Sequence, residues 1–171
     1  QRMLDVKEIR SKIVCLLRDY PVMCRKIALL RYEWEHPCEI TESEMLNAMA
    51  YSQKRTGLRS PVGHVSDKTY HIAVNYRDQA AYCNREEAAE IEAELVRLEQ
   101  KKYRLEYCVS QLPEEQGMVL RGLYFENMEQ KGLVSKLNLS DSTIRRYRDK
   151  GLDALAEMYY TLIKAGAVIE W

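Results

Sequence analysis

The sequence predicts an all-α protein, and three observations carry that expectation. Glycine and proline are scarce, apolar residues recur at helical spacing, and cap-forming residues stand where one periodic run gives way to the next. Seven Gly and four Pro in 171 residues are too few for a turn-rich β fold. The abundant Leu, Glu, Lys, Arg and Ala lose little rotamer freedom in a helix. With 46% apolar and 30% charged residues the chain has the composition of a folded protein, and its length can bury one good core or two small ones.

Taken in order, the apolar positions Val6, Ile9, Ile13, Leu16 and Leu17 predict a first helix from about Leu4 to Asp19. Pro21 removes a backbone donor and is expected to end or kink it, with a second helix from about Val22 to Glu35. Thr41-Glu-Ser-Glu44 has the form of a capping box and predicts a short helix through Met45, Leu46 and Met49, ending near Tyr51. Residues 52–66 break every periodicity at Gly57, Pro61 and Gly63 and read as a loop or linker. That segment carries Lys54, Arg55 and Arg59 with no acid, so it reads either as a second DNA contact through phosphates or as a solvated tether.

Ser66 or Asp67 is placed to cap a long helix, or helix pair, over residues 67–111, with an interruption expected near Asn84. Ile91, Leu95, Leu98, Leu105, Val109 and Leu112 follow alternating steps of four and three once Lys102 is counted, which is a coiled-coil-like seam. Such a seam either pairs two subunits in a homodimer or folds back on helices of its own chain, and both readings stand. The expected organisation is therefore an N-terminal helical region (1–51), a basic linker (52–66), the long helix (67–111) and a C-terminal segment (112–171).

The last segment carries the strongest local pattern. Pro113 suits a helix start, and Glu114 and Glu115 favour the positive end of its dipole. Leu133, Val134 and Leu137 mark one face of a short helix, and Ile144, Tyr147, Gly151 and Leu155 mark a face of the next. Between them Asn138 stands where a left-handed backbone is needed, Leu139 plugs the angle, and Ser140 caps the second helix. This register predicts a helix-turn-helix. Residues 129–150 hold six Lys or Arg against three Asp or Glu, although the chain as a whole has no net charge. Positive charge thus gathers where a recognition helix would enter the major groove. Ser142, Arg145 and Arg146 are the expected base-edge contacts, since arginine can bind guanine through two parallel hydrogen bonds. Lys131, Lys136, Ser140, Thr143, Arg148 and Lys150 suit the phosphate backbone, and Asp141 shares the exposed face.

Residues 112–155 resemble region four of bacterial sigma factors, in which Leu-Pro, a short helix and Ser-x-x-Thr-aliphatic recur. The matching positions here are Leu112-Pro113, Leu133-Val134, and Ser140, Thr143 and Ile144. No counterpart of the sigma segment that grips core polymerase is seen. A wider resemblance, over roughly residues 51–155, is to phage and prophage regulators of the ArpU and RinA type. In those a Gly-x-Val-Ser-Asp segment, here Gly63-His64-Val65-Ser66-Asp67, precedes a long helix leading into the sigma-like unit. The resemblance implies an activator of late phage genes in the cytoplasm of a bacterial host. Val134 and Gly151 stand where Ala is usual, and Tyr147-Arg148 departs from the sigma order, which predicts altered interhelical packing.

Other chemistry finds less support. Five cysteines without a CxxC pair suggest reduced thiols, with Cys15 and Cys24 packed as small apolar residues. The three histidines lie at no metal-ligand spacing, and the acidic run at Glu86, Glu87, Glu90, Glu92 and Glu94 reads as a solvated helix face. Neither an enzyme nor a metal or cofactor site is expected. There is no signal-peptide pattern and no run of about 18 apolar residues to span a membrane. Double-stranded DNA is the expected partner, with RNA polymerase a candidate second one. The competing readings are a DNA-packaging protein of the small-terminase kind and a module whose helix-turn-helix face binds polymerase instead. Tyr159, Tyr160 and the apolar tail Ala167–Trp171 suit docking on either the chain's own domain or a partner.

Overall fold

The computed structural model describes residues 5–41, 43, 44, 47 and 67–171. All regular structure among them is helical. The helices are α1 (Val6–Glu35), α2 (Asp67–Ser110), α3 (Glu114–Leu120), α4 (Gln130–Leu137) and α5 (Asp141–Lys164), with a π-helical turn at Arg121–Phe125. Lys54, Arg55, Arg59, the rest of the 52–66 linker and the expected helix end near Tyr51 lie outside the described residues.

Two compact units divide the chain: Gln1–Ala28 with Val96–Trp171, and Leu29–Leu95. In the first, α1 presents Ile9, Ile13, Leu17, Tyr20, Met23 and Ile27 as one buried stripe at steps of three and four. The helix does not end at Pro21, and what was read as two helices is one helix of 30 residues. Proline inside a helix costs about 3 kcal/mol. Met23 and Ile27, both beyond it and both buried, contribute about 1.5–3 kcal/mol each when fully desolvated. Keeping the stripe in register across Pro21 therefore offsets the missing hydrogen bond.

The seam on α2 is largely buried within the chain. Leu98, Leu105 and Val109 are buried in the first unit together with Leu112, Leu95 is buried in the second, and Ile91 is half-buried. The tail also docks on its own unit: Arg104 Nη1 donates to the Val168 carbonyl at 3.2 Å, and Arg97 Nη1 pairs with Glu170 at 3.2 Å. Trp171 ends with its ring 5.6 Å from that of Tyr159 and the Lys12 ammonium 5.3 Å above it.

In the second unit, α2 passes through Asn84 without interruption. The Asn84 amide instead pairs with the backbone of Ile40, accepting from its N–H at 3.1 Å and donating to its carbonyl at 3.4 Å. An amide that serves an irregular segment in this way has no need to compete with its own helix. At Thr41 the capping box forms as its sequence predicts. Thr41 N–H donates to Glu44 Oε2 at 3.0 Å, and Glu44 N–H returns to Thr41 Oγ1 at 3.4 Å. The Thr41 N–H bond, together with one that Thr41 Oγ1 donates to Glu44 Oε2 at 2.9 Å, holds the Glu44 carboxyl below its ordinary value.

Of the five cysteines, all free, Cys15 is exposed and Cys24 half-buried, so the expected packing of Cys15 as a core residue is not met. On α1 it falls outside the stripe that buries Leu16 and Leu17. Cys108 is the buried one, and burial pushes its thiol up.

Candidate nucleic-acid interface

The C-terminal segment folds as two short helices and a longer one around a small apolar centre of Val119, Leu133 and Ile144, one residue from each of α3, α4 and α5. Leu123, Met128, Val134, Leu137, Leu139 and Tyr147 pack around it. α3 starts one residue later than its proline suggests, with Pro113 as the cap and Glu114 and Glu115 in the first turn. After Leu120 the backbone widens into the π-turn, and Glu126 N–H bonds to the Arg121 carbonyl at 2.9 Å. Asn127, at φ 51°, ends it.

The turn between α4 and α5 has the expected form. Asn138 adopts φ 53° and ψ 40°, the left-handed region that its short polar side chain tolerates. Leu139 N–H bonds back to the Val134 carbonyl at 3.3 Å, and its side chain is half-buried against the centre. Ser140 then turns extended, and its Oγ accepts from Thr143 N–H at 3.2 Å, satisfying one of the orphan donors that open every helix.

Two glycines set how closely the helices approach. A Cβ on Gly122 would lie 2.5 Å from Leu133 Cδ1, and one on Gly151 would lie 2.9 Å from Leu120 Cδ1. The departure at Gly151 thus has a packing cause, because α3 and α5 meet where an alanine methyl would collide with a fully buried leucine.

On the outer side, Asp141, Ser142, Arg145 and Arg146 are exposed over the first two turns of α5. Positions spaced by one, four and five fall on one helix face. The Ser140 Oγ lies 3.0 Å from Ser142 Oγ and 2.8 Å from Thr143 Oγ1, so three hydroxyls gather at the helix start. Arg145 Nη2 pairs with Asp141 Oδ2 at 2.9 Å, while Arg146 lies over the Tyr147 ring at 5.6 Å. Arg148 is half-buried and donates twice to Asp149 Oδ1, at 3.1 and 3.0 Å. Lys131 and Lys150 are exposed, and Lys136 is tied to Glu126 at 2.7 Å. Lys131, Arg146 and Lys150 have no ion-pair partner among the described residues.

Several contributors are not evident from the sequence. Gln130 Nε2 donates to Asp141 Oδ1 at 2.5 Å, joining the start of α4 to the start of α5. Arg10 of α1 donates from Nε to Asp153 Oδ1 at 2.6 Å and places Nη2 3.7 Å from Asp149. It thereby offsets two acids on the outer side of α5 that would oppose a polyanion. Further along α1, the Tyr20 ring stacks on Phe125 with centroids 3.9 Å apart, and its hydroxyl donates to Glu106. Burial, reinforced by the Glu106 bond, pushes the Tyr20 hydroxyl above its ordinary value. The only prior signal for the contacts of Arg10 and Tyr20 is the charge and ring chemistry of residues more than 80 positions apart, which no local pattern connects.

Among the described residues no group of three His, Cys, Asp or Glu side chains is placed to hold a metal ion, and no helix is long and apolar enough to cross a membrane. Comparison of the chain with models of protein families, with curated proteins and with solved structures gave no match.

Proposed function

We propose that the chain is a sequence-specific double-stranded DNA-binding protein that regulates transcription, with α5 as recognition helix. The observation that carries this reading is the register of the turn. Asn138, Leu139 and Ser140 set α4 and α5 around one apolar centre, and that register leaves Ser142, Arg145 and Arg146 exposed together on the first two turns of α5. Helix-turn-helix proteins read base edges with the N-terminal residues of the second helix. The hydroxyls of Ser140 and Thr143, with Lys131 and Lys150 to either side, suit phosphates. Arg148 and Lys136, each engaged by an acid, contribute through charge more than through free reach.

The resemblance to phage and prophage regulators refines this into an activator of late phage genes in a bacterial host, acting alone or with RNA polymerase. The competing packaging reading predicts a ring of eight or more subunits, whereas a regulator is expected as a monomer or dimer, so the oligomeric state in solution separates the two. The deciding experiment is a binding titration of the whole chain on a duplex selected from a random pool, at several salt concentrations. The double substitution Arg145→Ala with Arg146→Ala is expected to weaken binding at least ten-fold and to flatten sequence preference, given about 1–3 kcal/mol for each good base contact. Unchanged affinity and preference would show that α5 does not face DNA.

A further inference from the structure

We infer that Asp141 is a positioning residue that sets the base preference of Arg145, with Gln130 as its anchor. The inference rests on the DNA-binding reading and adds to it the source of sequence selectivity. Asp141 opens α5, and its two carboxylate oxygens are spent in opposite directions. Oδ1 accepts from Gln130 Nε2 at 2.5 Å, and Oδ2 accepts from Arg145 Nη2 at 2.9 Å. Gln130 is the first residue of α4, so the carboxylate is fixed from a different helix than the one that carries the arginine.

The arginine keeps what it needs. A guanidinium has five N–H donors in a planar fork, and one is used by Asp141, leaving four, enough for a two-point contact with guanine O6 and N7. A side chain of this length loses much rotamer freedom on docking, and holding it beforehand lowers that loss. The pair does little for stability, because both side chains are more than half exposed. Its consequence is geometric. A carboxylate on a DNA-facing helix also repels phosphates and disfavours any base that offers only acceptors beside it. Asp141 therefore lowers affinity for DNA in general while raising the contrast between sequences, which is selectivity by exclusion.

The test uses the full chain, a duplex selected from a random pool, and single-base variants of that duplex. Arg145→Ala first identifies the base pair whose discrimination Arg145 supplies. Asp141→Ala is expected to lower discrimination at that same base pair about ten-fold, the scale of one two-point base contact. Affinity for an unrelated duplex should hold or rise. Gln130→Ala should lower discrimination at that pair to a smaller extent, and Asp141→Ala with Arg145→Ala together should discriminate there no worse than Arg145→Ala alone. Asp141→Asn, which keeps an acceptor oxygen, should retain more of the preference than Asp141→Ala at equal melting temperature. If Asp141→Ala leaves that discrimination intact, the inference falls while DNA binding stands. Equal losses on selected and unrelated duplexes would assign Asp141 a helix-stabilising role and also overturn it. A wild-type chain that enriches no sequence from the pool would overturn both the inference and the DNA-binding reading.

Discussion

At Ser140 a single hydroxyl serves several neighbours, accepting from the Thr143 N–H and lying within hydrogen-bond distance of the Ser142 and Thr143 hydroxyls. Replacing an N-cap serine by alanine costs about 1 kcal/mol in general. For Ser140→Ala a stability loss of about 1 kcal/mol is expected by chemical unfolding, and under the proposed DNA-binding function affinity for duplex should fall beyond that, since the start of α5 would also lose a hydroxyl suited to phosphate. A melting curve indistinguishable from wild type would mean that the cap contributes nothing. The cap, the left-handed Asn138 and the plug at Leu139 were legible in the sequence because they stand side by side in a short turn whose register the flanking helices repeat. Gln130 was not legible, because its partner Asp141 lies eleven residues away across the turn and no periodicity links an amide to a carboxylate at that distance. Arg10 was invisible for a stronger reason: its partners Asp149 and Asp153 come into reach only after the whole unit has folded.

Among the elements, the turn Arg121–Phe125 illustrates how a tight approach and a wide backbone coexist. Gly122 lies against Leu133, which is 1% exposed, and a Cβ there would meet a methyl at 2.5 Å. Gly122→Ala gains up to about 1 kcal/mol of backbone preference in a helix. Against that, overpacking a close-fitting core costs about 1–3 kcal/mol. The net expectation is a loss of about 1–2 kcal/mol, read as a lower denaturation midpoint with an unchanged denaturant slope. Stability equal to or above wild type would mean that Leu133 has room to move. Element by element, the sequence placed the 67–111 helix within a residue at each end and the turn before α5 in register, left the far end of α5 open, and erred where tertiary packing overrode a local rule. Pro21 is carried through α1 because buried residues on both sides of it share one stripe. Asn84 is carried through α2 because its amide is occupied by Ile40. The seam of α2 was correctly seen as apolar, but its partner was left open, since a stripe read from sequence does not say what covers it.

For the whole molecule, α1 as far as Ala28 and the helix-turn-helix belong to one compact unit, held by the Tyr20–Phe125 stack as well as by Arg10. Phenols buried this way resist ionisation: Tyr20 and Tyr159 both titrate above their ordinary value, chiefly because burial disfavours the charged ring. Because the folded state holds those protons more tightly than the unfolded chain, the stability they contribute is complete below the unfolded value of about 10 and is lost as pH rises above it. Urea unfolding is therefore expected to show a falling midpoint between about pH 9.5 and 11, and Tyr20→Phe should lose less over that interval than wild type. If the two midpoints ran parallel, Tyr20 would not be a contributor. The same unit shows why the fold class was legible while its assembly was not. Helical period and caps are local, whereas the joining of residues 1–28 to 96–171 depends on contacts that skip the intervening chain.

The docking of Trp171 has a practical consequence as well. The chain holds two tryptophans, Trp34 in the Leu29–Leu95 unit and Trp171 in the other. Trp34 is about half exposed, whereas Trp171 rests beside Tyr159 with a lysine ammonium over its ring. Each unit thus carries its own built-in fluorophore. Replacing Trp34 by phenylalanine would leave an emission signal that follows the helix-turn-helix unit alone, so the melting of the two units could be timed separately without any added dye.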